Sequence, residues 1–165
     1  MLGNVDGQAA DGAESLTAAV LKASRVLVAI AVRSLAAADD RVTLAQFRML
    51  VILDTQGECN LVSLADNLAV NPSTALRMVD RLVEGGFISR RVNPASRREV
   101  LLRLTPAGRQ IVDEVTARRR DEISGIVARM SPVNRAGLVT ALRAFAEASG
   151  EPVGGERELS LLGWD

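Results

Sequence analysis

The chain has 165 residues, no formal net charge, and a composition that is 48% hydrophobic but only 2% aromatic. That length favours one domain, and the apolar content favours a packed core over disorder. With so few rings the core must be made of Leu, Val, Ile and Ala, which suits helices.

The sequence contains no histidine and a single cysteine, Cys59. The commonest general base, the commonest metal ligand and any histidine-based triad are therefore absent, as is an internal disulfide framework. Carboxylates that are neighbours in sequence, such as Asp113 and Glu114, do not face each other on a helix and read as solvated surface. No catalysis, cofactor or metal is expected. The longest clean apolar stretch near the start, residues 26–32, is bracketed by Lys22, Arg25 and Arg33. No membrane span and no membrane partner are expected from it. No basic segment followed by an apolar one opens the chain, so the expected location is the cytoplasm.

Residues 1–13, rich in Gly, Asp and Ala, are expected to be a flexible N-terminus. Leu16, Val20, Ala23, Leu27, Ile30 and Ser34 recur at three- and four-residue spacing and predict a first helix over 14–38. Thr43, with Gln46 three residues on, forms a capping-box signature for a second helix that ends before Gly57. Asn60 opens a short third helix carrying Leu61, Leu64, Ala65 and Leu68. Asn71-Pro72 is a strong start signal for a fourth, because Asn caps and Pro is preset for the first helical position. Gly85-Gly86 ends it. Two strand-like runs, 87–91 and 99–104, flank the turn Asn93-Pro94-Ala95-Ser96 and predict a hairpin. Thr105-Pro106 repeats the start signal for a long fifth helix to about Met130, and Ser131-Pro132 opens a sixth. Residues 150–165 are expected to be a flexible tail whose apolar end, 159–164, could dock on a partner subunit.

The order is four helices, a hairpin and two helices, with helices three and four separated by a few residues. That is the helix-turn-helix arrangement, in which the second helix of the pair enters the major groove, and the hairpin after it is a wing. The predicted class is mainly α with a small β-hairpin wing. The DNA-binding lobe spans 43–104, and 14–42 with 105–149 form a helical dimerisation region. On the fourth helix Ala75, Met78, Val79 and Leu82 share the inward side. Ser73, Thr74, Leu76, Arg77 and Arg81 lie on or near the other, where hydroxyls suit phosphates, Arg77 suits guanine or phosphate, and Leu76 suits a thymine methyl. An ordinary amphipathic helix with a solvated arginine face accounts for this helix equally well. The hairpin shifts the balance, because Arg90, Arg91, Arg97 and Arg98 cluster at one turn, which suits a narrow minor groove. Residues 71–109 hold eight arginines against three acids, a local excess of five positive charges in a neutral chain.

These segments together resemble the MarR family of bacterial transcription regulators over about residues 14–148. The matching stretches are Thr43-Leu-Ala-Gln-Phe-Arg-Met-Leu50, Leu64-Ala65, residues 71–82, residues 85–91, and Arg97-Arg98 up to Gly108. The resemblance implies a homodimer joined by the first and last helices, with two recognition helices in successive major grooves of a pseudo-palindromic operator. It also implies that Ser73, Thr74, Leu76 and Arg77 sit at the groove and Arg97 or Arg98 at the wing tip. One position departs from the family's pattern: Ser96 stands where an acid usually precedes the wing arginines, and Glu99 is expected to substitute in part.

The apolar stripe of the terminal helices, including Val20, Leu27, Leu138, Leu142 and Phe145, exceeds what a thin monomer needs and points to the same dimer. By the same resemblance, a small aromatic or phenolic effector would bind among helices one, two and five and release DNA, with Arg33 and Arg48 as candidate anion partners. Cys59 has no tyrosine near it and reads as an inert, buried thiol. A winged-helix protein repurposed for protein–protein contact or small-molecule binding, with no operator, is the rival reading.

Overall fold

The computed structural model describes the backbone of residues 5–94 and 96–149, and the side chains of 12–94, 96 and 99–149. The elements run α1 (Val5–Ala38), α2 (Leu44–Gln56), β1 (Cys59–Asn60), α3 (Leu61–Leu68), α4 (Pro72–Glu84), β2 (Ile88–Asn93), β3 (Ser96–Leu104), α5 (Pro106–Ala128) and α6 (Pro132–Ser149). The six helices and the wing follow the expected order.

Local chemistry explains the boundaries. Thr43 and Gln46 close a reciprocal capping box, the Thr43 N–H donating to Gln46 Oε1 at 2.9 Å and the Gln46 N–H to Thr43 Oγ1 at 3.3 Å. Asn60, Asn71 and Thr105 each accept a backbone N–H three residues on, and Pro72 and Pro106 follow the latter two. Such caps satisfy donors that the first helical turn leaves unpaired. Gly86, at φ 78°, supplies the left-handed residue between α4 and β2.

The core joins α2, α3, α4, the sheet and the first half of α5. Leu50, Leu64, Ala65, Ala75, Val79, Val112 and Val115 are wholly enclosed. Val79 and Leu82 on α4 pack where the sequence pattern placed them.

Three features differ from the sequence-based expectation. A two-residue strand, β1, joins the hairpin, giving an antiparallel sheet of order β1-β3-β2 with Cys59 opposite Leu102. Helix α1 starts at Val5, within the segment expected to be a flexible end. Its Ala-rich sequence gives it high helix propensity. The expected tail, 150–165, with its apolar end, lies outside the described residues. The third difference corrects the membrane criterion. The Gly12–Ala38 portion of α1 is, by length and composition, apolar enough to cross a membrane, with a mean hydropathy of 1.7 in an 18-residue window that is 6% buried. Alanines raise the average although no long uninterrupted run exists. Among the described side chains of α1 only Ile30, Ser34 and Leu35 are buried, whereas Leu16, Leu27 and Val32 are exposed. Helix α6 buries no residue at all, and leaves Leu138, Leu142 and Phe145 open.

Candidate nucleic-acid interface

The turn between α3 and α4 aims the second helix. Ala69 occupies the left-handed region at φ 53° and ψ 42°, and its N–H reaches the Ala65 and Asp66 carbonyls. Asn71 then fixes the first turn of α4: its Oδ1 accepts from the Thr74 N–H and from Ser73 Oγ, both at 2.8 Å. Ala75, Val79 and Leu82 bury the inner side. The outer side leaves Ser73, Leu76, Arg77, Asp80 and Arg81 exposed, with Thr74 half-buried. Arg77 donates to Thr74 Oγ1 at 3.3 Å, so its guanidinium lies over the first turn. The Ser73 proton is already engaged by Asn71. Phosphate oxygens are acceptors, so Ser73 would bond one only by releasing its cap.

The wing is the β2–β3 ladder, which pairs Ile88 with Leu104, Arg90 with Leu102 and Val92 with Val100, and is irregular between Val92 and Asn93. Thr105 staples its base: the hydroxyl donates to the Gly86 and Phe87 carbonyls at 2.7 and 3.1 Å. Glu99 ties its outer part, accepting from Asn60 Nδ2 at 2.7 Å and Asn93 Nδ2 at 2.6 Å. These two amides, Asn60 first, hold its carboxyl below the usual range. Both Glu99 oxygens thus serve the wing's own frame.

Of the eight arginines in the 71–109 stretch, four are held by carboxylates of the same lobe. Arg90 pairs with Asp80 on α4. Arg91 pairs with Glu58 at 2.7 Å and Arg103 approaches the same carboxylate at 3.6 Å. Arg109 pairs with Asp54 at 2.6 Å. Arg77 and Arg81 remain exposed, with no carboxylate partner among the described residues, and the side chains of Arg97 and Arg98 lie outside them. The nine expected DNA-facing residues therefore divide. Ser73, Thr74, Leu76, Arg77 and Arg81 come together on α4, whereas Arg90 and Arg91 are anchored at the wing's base. Sequence reading counted Asp80 only as a subtraction from the positive charge, and gave Glu58 no role. No periodicity signals a pairing between α4 and a strand ten residues on.

Arg33 is exposed and donates to Glu122 of α5 at 2.7 Å, and Arg48 is exposed on α2. Neither lines the two clefts beside the lobe. One cleft, of about 380 Å³, lies between the start of α2 and the end of α4, with Arg41, Gln46, Arg81 and Phe87 in its wall. Arg41 stands 5.3 Å over the Phe87 ring and chelates Asp39 through two nitrogens. The other, of about 530 Å³, lies between the end of α2 and the start of α5 and includes Asp54, Glu58, Arg103 and Arg109. Cys59 is half-buried, and burial pushes its thiol up from the ordinary value, away from ready oxidation. Among the described residues no cluster of three potential metal ligands occurs.

The MarR family model matches residues 42–100, which covers α2 to the middle of β3. The multiple antibiotic resistance protein MarR of Salmonella typhimurium is 37% identical over 73 residues, 44% of this chain and 51% of that protein. The chain thus spans about half the length of the curated relatives it matches. The crystal structure of RV1404 from Mycobacterium tuberculosis is 52% identical over 84% of this chain and 94% of its own, with a TM-score of 0.80. A mutant MarR from Escherichia coli, solved in complex with operator DNA, is 25% identical over 79% of this chain and 93% of its own, with a TM-score of 0.60. Helix order, winged lobe and these similarities agree, and the chain belongs to the MarR family of transcription regulators.

Proposed function

We propose that this chain is a sequence-specific, double-stranded-DNA-binding transcription repressor that acts as a homodimer in the cytoplasm and is released by a small aromatic or phenolic ligand. The observation that carries the DNA reading is the outer side of α4, where Ser73, Leu76, Arg77 and Arg81 stand together beside a wing. A helix of this kind fits the major groove, and the basic side chains supply phosphate contacts. Operator binding by the related E. coli protein supports the same use here.

The dimer is supported by the apolar rows that α1 and α6 leave open. Leu16 is 66% and Phe145 57% exposed in the single chain. A second copy would cover them, and would also account for the membrane-like composition of α1. Two symmetric half-sites double the contacts that one short helix can make. For the ligand, support comes from the α2–α4 cleft, which the recognition helix lines and where the exposed Arg81 has no carboxylate partner among the described residues. Filling it would favour one spacing of the two recognition helices over another.

The test is a fluorescence-anisotropy titration of the protein against duplex DNA from its own promoter region, with salt varied. Arg77→Ala and Arg97→Ala are expected to weaken binding roughly tenfold or more and to flatten the salt dependence by about one ion each. Binding no tighter than to random DNA, unaltered by either substitution, would favour the repurposed winged-helix reading.

A further inference from the structure

We infer that Asp80 and Glu58 are positioning residues that clamp the wing from both faces, and that they set the protein's preference for its operator over other DNA. This rests on the DNA-binding function proposed above. Successive residues of a strand point to opposite faces of its sheet. Arg90 is opposite Leu102, which is buried, and so lies on the face turned to the helices, where it meets Asp80. Arg91 lies on the other face and is held by Glu58 through both Nε, at 2.9 Å, and Nη2, at 2.7 Å. Glu58 also draws in Arg103 from β3, so one carboxylate bridges both wing strands.

Two facts separate this arrangement from ordinary surface pairing. Asp80 is on the recognition helix itself, one turn beyond Arg77 and exposed on the same side. A bare carboxylate there would repel phosphates. Pairing neutralises it and makes the wing's direction a function of the α4 direction. The pairs are also open to solvent, with Arg90 and Asp80 side chains 39% and 53% exposed, so they add little to fold stability. Their effect falls on orientation and on the number of free cations. With Arg90, Arg91 and Arg103 engaged, the wing's base offers phosphates no loose guanidinium, and sequence-independent attraction stays low.

The experiment compares wild type, Asp80→Asn and Glu58→Gln as full chains. Each is titrated against a duplex that the wild type itself selects from a randomised pool, and against a scrambled duplex of equal composition. Freed arginines should tighten scrambled-duplex binding about threefold and steepen its log–log salt slope by about one per cation released. Loss of wing direction should weaken selected-duplex binding about tenfold, so that the ratio of the two affinities collapses. Arg90→Gln removes the clamp without freeing a cation: it should weaken the selected duplex while leaving the scrambled-duplex slope no steeper. A wild-type ratio retained in all three variants overturns the clamp, as does a parallel rise on both duplexes. If the wild type enriches no sequence from the pool, the DNA-binding reading itself has failed, before any variant is measured.

Discussion

Gly108 occupies the tightest point of the winged lobe, and replacing it with alanine should be costly. It sits in the first turn of α5, where an added Cβ would lie 2.2 Å from the Phe87 carbonyl oxygen and 2.7 Å from a Leu104 methyl. The methyl can rotate away, but the carbonyl cannot, because it is backbone and accepts from both the Thr105 N–H, at 3.0 Å, and the Thr105 hydroxyl, at 3.1 Å. Relief requires α5 and the α4–β2 turn to part by about 1 Å, enough to break or lengthen both bonds. Two hydrogen bonds at about 1 kcal/mol each, with about 1–3 kcal/mol for overpacking, less about 1 kcal/mol regained from alanine's helix propensity, leave a net loss of about 2–4 kcal/mol. For a chain of this size that lowers the melting temperature by roughly 5–15 °C. The assay is thermal unfolding followed by circular dichroism, with Gly125→Ala as control. Gly125 is on a polar side of α5 where only the end of the flexible Arg129 side chain comes within 4 Å, so alanine there should raise the melting point by a few degrees. A Gly108→Ala protein that melts within about 2 °C of wild type would refute the close-approach reasoning.

Two further predictions concern the groove helix and the wing. Asn71→Ala removes the acceptor that holds both the Thr74 N–H and the Ser73 hydroxyl. It should cost about 1 kcal/mol of stability in chemical denaturation, and equal stability of the two proteins would show that the cap is idle. Glu99 has a folded-state carboxyl held below its ordinary value by Asn60 and then Asn93. A depressed folded value means the contribution is complete above the unfolded glutamate value, about 4.3, and is lost as pH falls through the folded one. Wild type should therefore melt above Glu99→Gln at pH 7, with the gap closing below about pH 4. A gap that widens on acidification contradicts the assigned sign.

Much of this fold is legible because helix ends are local events. Asn71-Pro72 and Thr105-Pro106 announce their helices through a side chain and its neighbours, and the capping box at Thr43 and Gln46 requires only four residues. The outer side of α4 is legible for the same reason: a 3.6-residue period separates Arg77 and Arg81 from Val79 and Leu82. β1 is illegible because two residues carry no alternation, and only pairing with Leu101 and Leu102 makes Cys59 and Asn60 a strand. The wing's ion pairs are illegible because they join Glu58 to Arg91 and Asp80 to Arg90 across separate elements. Counting arginines overstated the cations open to DNA, since net charge records how many are present and says nothing of what they are bonded to. The spacing on α1 marks an apolar stripe, yet Leu16 and Leu27 stay exposed in the single chain.

The left-handed alanine between α3 and α4 has a mechanical consequence. An L-residue with a Cβ gives up about 1–2 kcal/mol to hold that conformation, whereas glycine reaches it freely and many others besides. Ala69 at φ 53° therefore has few alternatives once the turn has formed, and the corner is stiff. The direction of α4 is thereby tied to that of α3. A change in how far α4 reaches is then taken up outside this corner, and the nearest breaks in the chain are Gly57, at φ 80°, before α3 and Gly85-Gly86, the latter at φ 78°, after α4.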